Sequence, residues 1–155
     1  MGLFSRKIKL LAPMSGELID LSKVKDITFA EKMLGDGVAI IPSDGKVLAP
    51  ADGKIVNVFH TKHAIGIETS KLELLIHIGM DTVELKGEGF TLHTNQGDSV
   101  KAGDLLLEVD LDYLKEKGFE TTTPIVITNM ELVKNLSKNT GNVVAGKDEI
   151  MVVSK

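Results

Sequence analysis

Leu72-Glu73-Leu74-Leu75-Ile76-His77-Ile78-Gly79-Met80 is the stretch on which the fold turns. It is a short apolar run closed by glycine, with polar Thr69-Ser70-Lys71 before it, and it has the length of a strand rather than a helix. Upstream, His63-Ala64-Ile65-Gly66-Ile67-Glu68 alternates in character, so the two segments predict a β-hairpin. A hairpin symmetric about Ser70 sets His63 opposite His77, Ile65 opposite Leu75 and Ile67 opposite Glu73. Directly opposed Cβ atoms lie roughly 5 Å apart, close enough for two imidazoles to touch. A slip of one residue would make the pair diagonal and send one histidine to the other face.

The face carrying Ala64, Gly66, Leu72, Leu74, Ile76 and Ile78 is the better core face, so the histidine face is expected to look outward. Ile65 and Leu75 would then make a greasy surround for two imidazoles, and such patches mark docking surfaces. A lone histidine in a core is ordinarily a hydrogen-bonded structural residue. Two opposed histidines on the more exposed face point instead to chemistry.

Beyond the hairpin, strand and turn signals dominate. Apolar runs at Val38 to Ile41, Lys54 to Phe59, Leu105 to Val109, Pro124 to Ile127 and Glu149 to Val153 alternate with glycine turns such as Asp36-Gly37, Asp44-Gly45, Asp52-Gly53 and Gly103-Asp104. Many short strands at this spacing predict an all-β antiparallel sandwich or barrel. Helical signals are brief: Phe29 to Leu34 before Gly35, Leu111 to Lys117 before Gly118, and Met130 to Leu136 with Asn129 as cap. A weak repeat links Leu11-Ala12-Pro13-Met14-Ser15-Gly16 with Leu48-Ala49-Pro50-Ala51-Asp52-Gly53. The repeat is similar to the Ala-Pro entries of biotinyl and lipoyl carrier domains. Leu107-Glu108-Val109-Asp110-Leu111, at the corresponding hairpin, has no lysine to modify.

The chain has 155 residues, 43% of them hydrophobic, enough for one sizeable core and one domain. A net charge of −4 with 4% aromatics gives nucleic-acid binding no electrostatic support. The absence of cysteine excludes disulfides, thiolate catalysis and Cys-based zinc sites. No apolar stretch reaches membrane-span length and no signal peptide is visible, so the expectation is a cytoplasmic protein. Residues 1–10, basic and amphipathic, are expected to be a flexible tail ahead of a domain spanning 11–155. Gly35-Asp36-Gly37 and Gly87-Glu88-Gly89 lack the Gly-Lys-Ser/Thr ending of a phosphate loop and read as turns. His60 and His93 read as solvated.

Four segments together resemble the glucose-type enzyme IIA family of the bacterial sugar phosphotransferase system. They are Phe29-Ala30-Glu31-Lys32-Met33-Leu34-Gly35-Asp36-Gly37-Val38-Ala39-Ile40, Thr61 to Glu68, Leu74 to Phe90, and Thr123-Pro124-Ile125-Val126-Ile127-Thr128-Asn129-Met130. Lys71 departs from the glycine that usually opens the family's histidine motif, and the turn between the two histidine strands is a residue shorter than in enteric relatives. The resemblance implies a duplicated barrel-sandwich hybrid with a few short helices. It also implies a cytoplasmic phosphohistidine carrier that needs no cofactor. In such a carrier Nε2 of His77 accepts a phosphoryl group from phospho-HPr and passes it to a cysteine of the IIB domain of a sugar permease. His63 would donate a hydrogen bond to the phosphoryl oxygens, Thr61 would orient His63, and the Gly79 carbonyl would orient His77. Ile27, Phe29, Met33, Leu34, Phe59, Leu75 and Val83 would form a shallow apolar docking patch, with Asp26, Asp81 and Glu84 as its acidic rim. Regulated permeases or kinases are further candidate partners at the same surface, and Met1 suggests an independent protein rather than part of a longer permease.

The residues taken alone leave two other readings open. One is a zinc hydrolase, with His63, His77 and Asp81 as ligands, although the His-x-x-x-His spacing of zincins is missing. In the carrier reading no metal is required, and zinc at His63 and His77 would be adventitious or completed by a partner. The other is a regulatory binding module that uses the apolar patch without chemistry. Label from phosphoenolpyruvate, acid-labile on histidine, discriminates the three.

Overall fold

The computed structural model describes residues 7–155. Among these, the chain runs through β1 (Lys7–Leu11), β2 (Gly16–Asp20), α1 (Ile27–Ala30), β3 (Asp36–Pro42), β4 (Lys46–Leu48), β5 (Gly53–Val58), β6 (Ala64–Thr69) and β7 (Leu72–His77). It continues through β8 (Phe90–Leu92), β9 (Ser99–Val100), β10 (Leu105–Val109), α2 (Leu111–Glu116), β11 (Thr123–Ile127), β12 (Asn135–Lys138), β13 (Gly141–Val143) and β14 (Glu149–Ser154). All the strand pairs are antiparallel, as the sequence led one to expect of an all-β sandwich. No helix of the described residues is long and apolar enough to cross a membrane.

The large sheet has eight strands in the order β13-β2-β3-β11-β7-β6-β5-β9, and two three-stranded sheets, β1-β14-β12 and β4-β10-β8, pack with it. The order is palindromic: β2 answers β5, β3 answers β6, and β11 and β7 lie side by side at the centre. The sequence repeat explains this. The Leu11 amide donates to the Pro50 carbonyl at 2.9 Å and the Leu48 amide to the Pro13 carbonyl at 2.8 Å, so the two Ala-Pro entries cross and clasp each other. Carried through the strand registers, this correspondence matches Asp36 with His63 and Val126 with His77. At that second end no imidazole stands. Lys138 Nζ sits 2.6 Å from Asp36 and 3.4 Å from Asp20, tying β12 to β2 and β3.

The main core fills the space between the sheets with Leu10, Leu18, Ile40, Ile55, Ile65, Ile67, Leu74, Ile76, Leu106, Ile125 and Met151, all nearly inaccessible. Each such side chain contributes roughly 1.5–3 kcal/mol by leaving water. Ile65 and Ile67, expected on the histidine face, belong to this core. β11 is buried along its whole length because a second cluster covers its outer face, built from Leu21, Val24, Phe29, Ala39, Met80 and Val126.

The β6–β7 hairpin has a register one residue away from the symmetric one. Ala64 lies opposite His77, Ile65 opposite Ile76 and Thr69 opposite Leu72, so the connection is the two-residue turn Ser70-Lys71. Both have positive φ, 47° and 71°, the geometry of a type I′ turn. Neither is glycine, and such a conformation costs a side chain roughly 1–2 kcal/mol. Outside contacts offset this cost. Asn129 Nδ2 donates to the Lys71 carbonyl at 2.9 Å, Asn129 Oδ1 accepts from the Glu73 amide at 2.9 Å, and Lys155 Nζ donates to the Ser70 carbonyl at 2.7 Å. Asn129 therefore clamps the hairpin, and the helix expected from it shrinks to one 3₁₀ turn, Met130–Leu132.

The tail boundary also moves. Residues 7–10, expected within a flexible tail, are strand β1, where Lys7 lies opposite Ser154. Residues 1–6 lie outside the described part of the chain.

Candidate functional site

His77 ends β7 on the outer face of the large sheet, and His63 lies in the bend just before β6. Lys62, with φ of 63°, turns the chain there, so His63 escapes the strict alternation that would have sent it to the core side. The Ile78 amide donates to the His63 carbonyl at 2.7 Å, which carries the pairing one step past the end of the strands. The two rings meet edge to face, with centroids 5.1 Å apart and planes at 83°. The expected proximity holds, although the partners expected to face each other across the strands do not.

Each ring has one nitrogen engaged. His77 Nδ1 lies 2.8 Å from the Gly79 carbonyl, which can only accept, so Nδ1 carries the proton and Nε2 keeps a free lone pair. His63 Nδ1 lies 2.6 Å from the Thr61 hydroxyl. Gly79 has φ of 75°, and a Cβ there would meet Thr82 Cγ2 at 2.7 Å and the Glu120 carbonyl oxygen at 2.8 Å. Only glycine lets the chain turn this carbonyl back onto His77.

Burial keeps both imidazoles neutral. Desolvation, with repulsion from His77, pushes the His63 pKa down from 6.5 to about 4. Desolvation also lowers that of His77, opposed first by the bond to Gly79 and then by the charges of Asp26 and Asp81. A pair of neutral rings near pH 7 offers a nucleophilic lone pair and, beside it, a hydrogen-bond donor.

Aromatic walls back both histidines. Phe29 stands 5.1 Å from His77, ring centre to ring centre, and Phe59 stands 5.5 Å from His63. Phe29 was expected on the docking surface, but it is only 4% exposed and packs among Leu21, Val24, Met80 and Val126. The helix start draws it in: Asp26 caps α1 by accepting from the Thr28 amide at 2.8 Å, and the single turn that follows drops Phe29 onto the sheet. Leu75 is likewise partly covered by this cluster. The histidine face is thus roofed on one side rather than open throughout.

The rest of the expected patch is at the surface, with Ile27 at 65% and Met33 at 68% exposed, and Leu34, Phe59 and Val83 also accessible. Beside it, Asp26, Asp81 and Glu84 line a cleft together with Lys25, Met80, Phe119 and Glu120. Asp81 is not gathered with the histidines into a ligand set: among the described residues no three His, Asp or Glu side chains are placed to hold a metal. His60 is exposed, and His93 Nε2 lies 2.9 Å from Glu108 on the small sheet, away from the pair.

Sequence reasoning passed over Thr82, Thr123 and Glu120, which surround the Ile78–Gly79 turn. A polar run, Thr121-Thr122-Thr123, leading straight into the fully buried Pro124 to Ile127 was the available signal.

The chain is similar to several known proteins. The family model described as phosphoenolpyruvate-dependent sugar phosphotransferase system, EIIA 1, matches residues 8–133. The glucose-specific EIIA component of Halalkalibacterium halodurans is 51% identical over 123 residues, covering 79% of this chain and 71% of that protein. Its counterpart in Haemophilus influenzae is 42% identical over 152 residues, covering 97% and 92%. Among solved structures, glucose permease IIA from Mycoplasma capricolum superposes with a TM-score of 0.90 at 42% identity, covering 96% of this chain and 97% of that one.

Proposed function

The chain belongs to the EIIA 1 family of the phosphoenolpyruvate-dependent sugar phosphotransferase system, and from that membership we propose a phosphohistidine carrier whose acceptor atom is Nε2 of His77. The family places the chain in phosphoryl transfer coupled to sugar transport. Donor, recipient and residue roles are our reading. The donor is phospho-HPr and the recipient a cysteine of the IIB domain.

One observation carries the assignment: the 2.8 Å bond from His77 Nδ1 to the Gly79 carbonyl, which leaves Nε2 as the free lone pair of a neutral ring. In the first transfer, that lone pair attacks the phosphorus of the donor's phosphohistidine. The new P–Nε2 bond forms as the donor's P–N bond breaks, and the donor ring takes back its electron pair. In the second, a cysteine thiolate attacks the same phosphorus, the P–S bond forms, and the P–Nε2 bond breaks to return the lone pair to His77. Neither step needs a redox partner, so rate depends on in-line positioning and on stabilising charge at the transferring oxygens.

His63 supplies that stabilisation. A Thr61 hydroxyl donating to Nδ1 leaves the His63 proton on Nε2, on the edge of the ring available to the phosphoryl group. Phe29 and Phe59 keep water from one side of the pair. The exposed Ile27, Met33, Leu34, Phe59 and Val83 make the contact surface, and Asp26, Asp81 and Glu84 favour a basic partner.

Incubation with enzyme I, HPr and phosphoenolpyruvate followed by mass spectrometry tests the proposal. One acid-labile phosphoryl group on His77 is expected; label on another residue, or none, overturns it.

A further inference from the structure

We propose that Thr82 and Thr123 are positioning residues that fix the tautomer of His77 by holding the Ile78–Gly79 peptide at both of its polar ends. The proposal rests on the reading of His77 Nε2 as acceptor and adds to it two hydroxyls that never touch the phosphoryl group.

The consecutive peptide units Ile78–Gly79 and Gly79–Met80 each have both polar ends bonded. In the first, the Thr82 hydroxyl donates to the Ile78 carbonyl at 2.5 Å, and the Gly79 amide donates to Thr123 Oγ1 at 3.4 Å. In the second, the Gly79 carbonyl accepts from His77 Nδ1 at 2.8 Å, and the Met80 amide donates to the Glu120 carbonyl at 3.0 Å. Thr123 also donates to the Thr121 carbonyl at 3.0 Å, which turns its lone pairs toward the Gly79 amide. Thr82 and Thr123 are both 0% exposed, so water cannot replace either hydroxyl.

Thr82 alone would mean little, because a threonine hydroxyl bonded to the carbonyl four residues back is a common local motif. Thr123 changes the reading. It arrives on β11, 44 residues after Gly79, and meets the opposite end of the same peptide. The peptide so held precedes the one whose carbonyl faces His77. Were the first plane free to rotate, the Gly79 carbonyl would swing, Nδ1 would lose its acceptor, and the proton could settle on Nε2. That tautomer has no lone pair where the phosphorus must arrive.

The tautomer of His77 can be read from imidazole ¹⁵N shifts above pH 7.5, with no transfer partner present. In Thr82→Val and Thr123→Val, which keep the branched shape without the hydroxyl, His77 should pass from the single Nδ1–H form to a mixture of tautomers. The rate of phosphate acceptance should fall about tenfold or more. Thr82→Ser and Thr123→Ser should retain both properties. Folded valine variants that keep the pure Nδ1–H form would overturn the proposal. In the unmodified protein, the Thr82 and Thr123 hydroxyl protons should exchange slowly and show contacts to the Ile78–Gly79 amides. Fast exchange at both would overturn it too, whether or not the valine variants fold. Failure of the acceptor reading looks different: the wild-type protein would label somewhere other than His77.

Discussion

The imidazoles of His63 and His77 meet edge to face at 5.1 Å, yet neither is the other's partner across the hairpin. Ala64 faces His77, and His63 reaches it from the bend before β6. The two rings hence hang from different kinds of backbone, one from a strand and one from a turn. Each is oriented by its own bond, to the Gly79 carbonyl and to the Thr61 hydroxyl respectively.

Different anchoring predicts separable roles. His77→Gln should abolish phosphate acceptance from phospho-HPr. His63→Gln should still accept the group but pass it poorly to IIB. A labelling time course with each variant checks this, and a His77→Gln protein that labels normally would sink the assignment.

Burial of His63 predicts a pH dependence of stability. Its folded pKa of about 4 lies below the ordinary imidazole value of 6.5, so the unfolded chain takes up the proton first as pH falls. The associated stability is full above pH 6.5 and is lost between 6.5 and about 4, on the order of 3 kcal/mol if the unfolded value is ordinary. Urea titrations across that window should show a smaller loss for His63→Gln than for the wild type. Equal losses would place the titrating group elsewhere.

Gly79→Ala should damage fold and function together. The added Cβ would come within 2.8 Å of the Glu120 carbonyl oxygen, a backbone atom that cannot step aside, at a residue with φ of 75°. A loss of roughly 2–4 kcal/mol is expected, with phosphate acceptance falling more than global unfolding explains. Denaturant midpoints combined with transfer rates at 10 °C separate the two.

The surface beside the histidines divides into parts with different expected effects. Phe29→Ala should cost about 3–5 kcal/mol of stability, as an aromatic removed from a packed cluster does. Ile27→Ala and Met33→Ala should leave stability nearly unchanged and weaken HPr binding by about 1 kcal/mol or more if they are anchors. Asp81→Lys and Glu84→Lys should mainly slow association and flatten its salt dependence. Calorimetric titration of HPr at two salt concentrations reads all of these, and unchanged binding throughout would put the partner on another face.

Much of this was legible in the sequence, for identifiable reasons. The alternation of His63 to Glu68 and the apolar run to Met80 gave the hairpin, and glycines at turns gave the strand spacing. The register was not legible, because Ser70-Lys71 has no glycine or asparagine to announce a type I′ turn. What holds that turn, Asn129, lies 58 residues from its bonding partner Lys71. Phe29 likewise reads as a surface residue of a short helix until the turn capped by Asp26 is seen to press it onto Val126 and Met80. The threonines behind Gly79 escaped notice because a hydroxyl's role depends on which peptide it meets, and spacing says nothing of that.

Valency follows from the palindromic sheet. Its two ends share one backbone plan, but Val126 stands where His77 would be and has no lone pair to offer, while Asp36, tied up by Lys138, stands where His63 would be. For the carrier proposed above, this makes the molecule single-handed. Donor and recipient must both reach the same Nε2 of His77, so they take turns at it, and traffic through the molecule is a shuttle rather than a bridge.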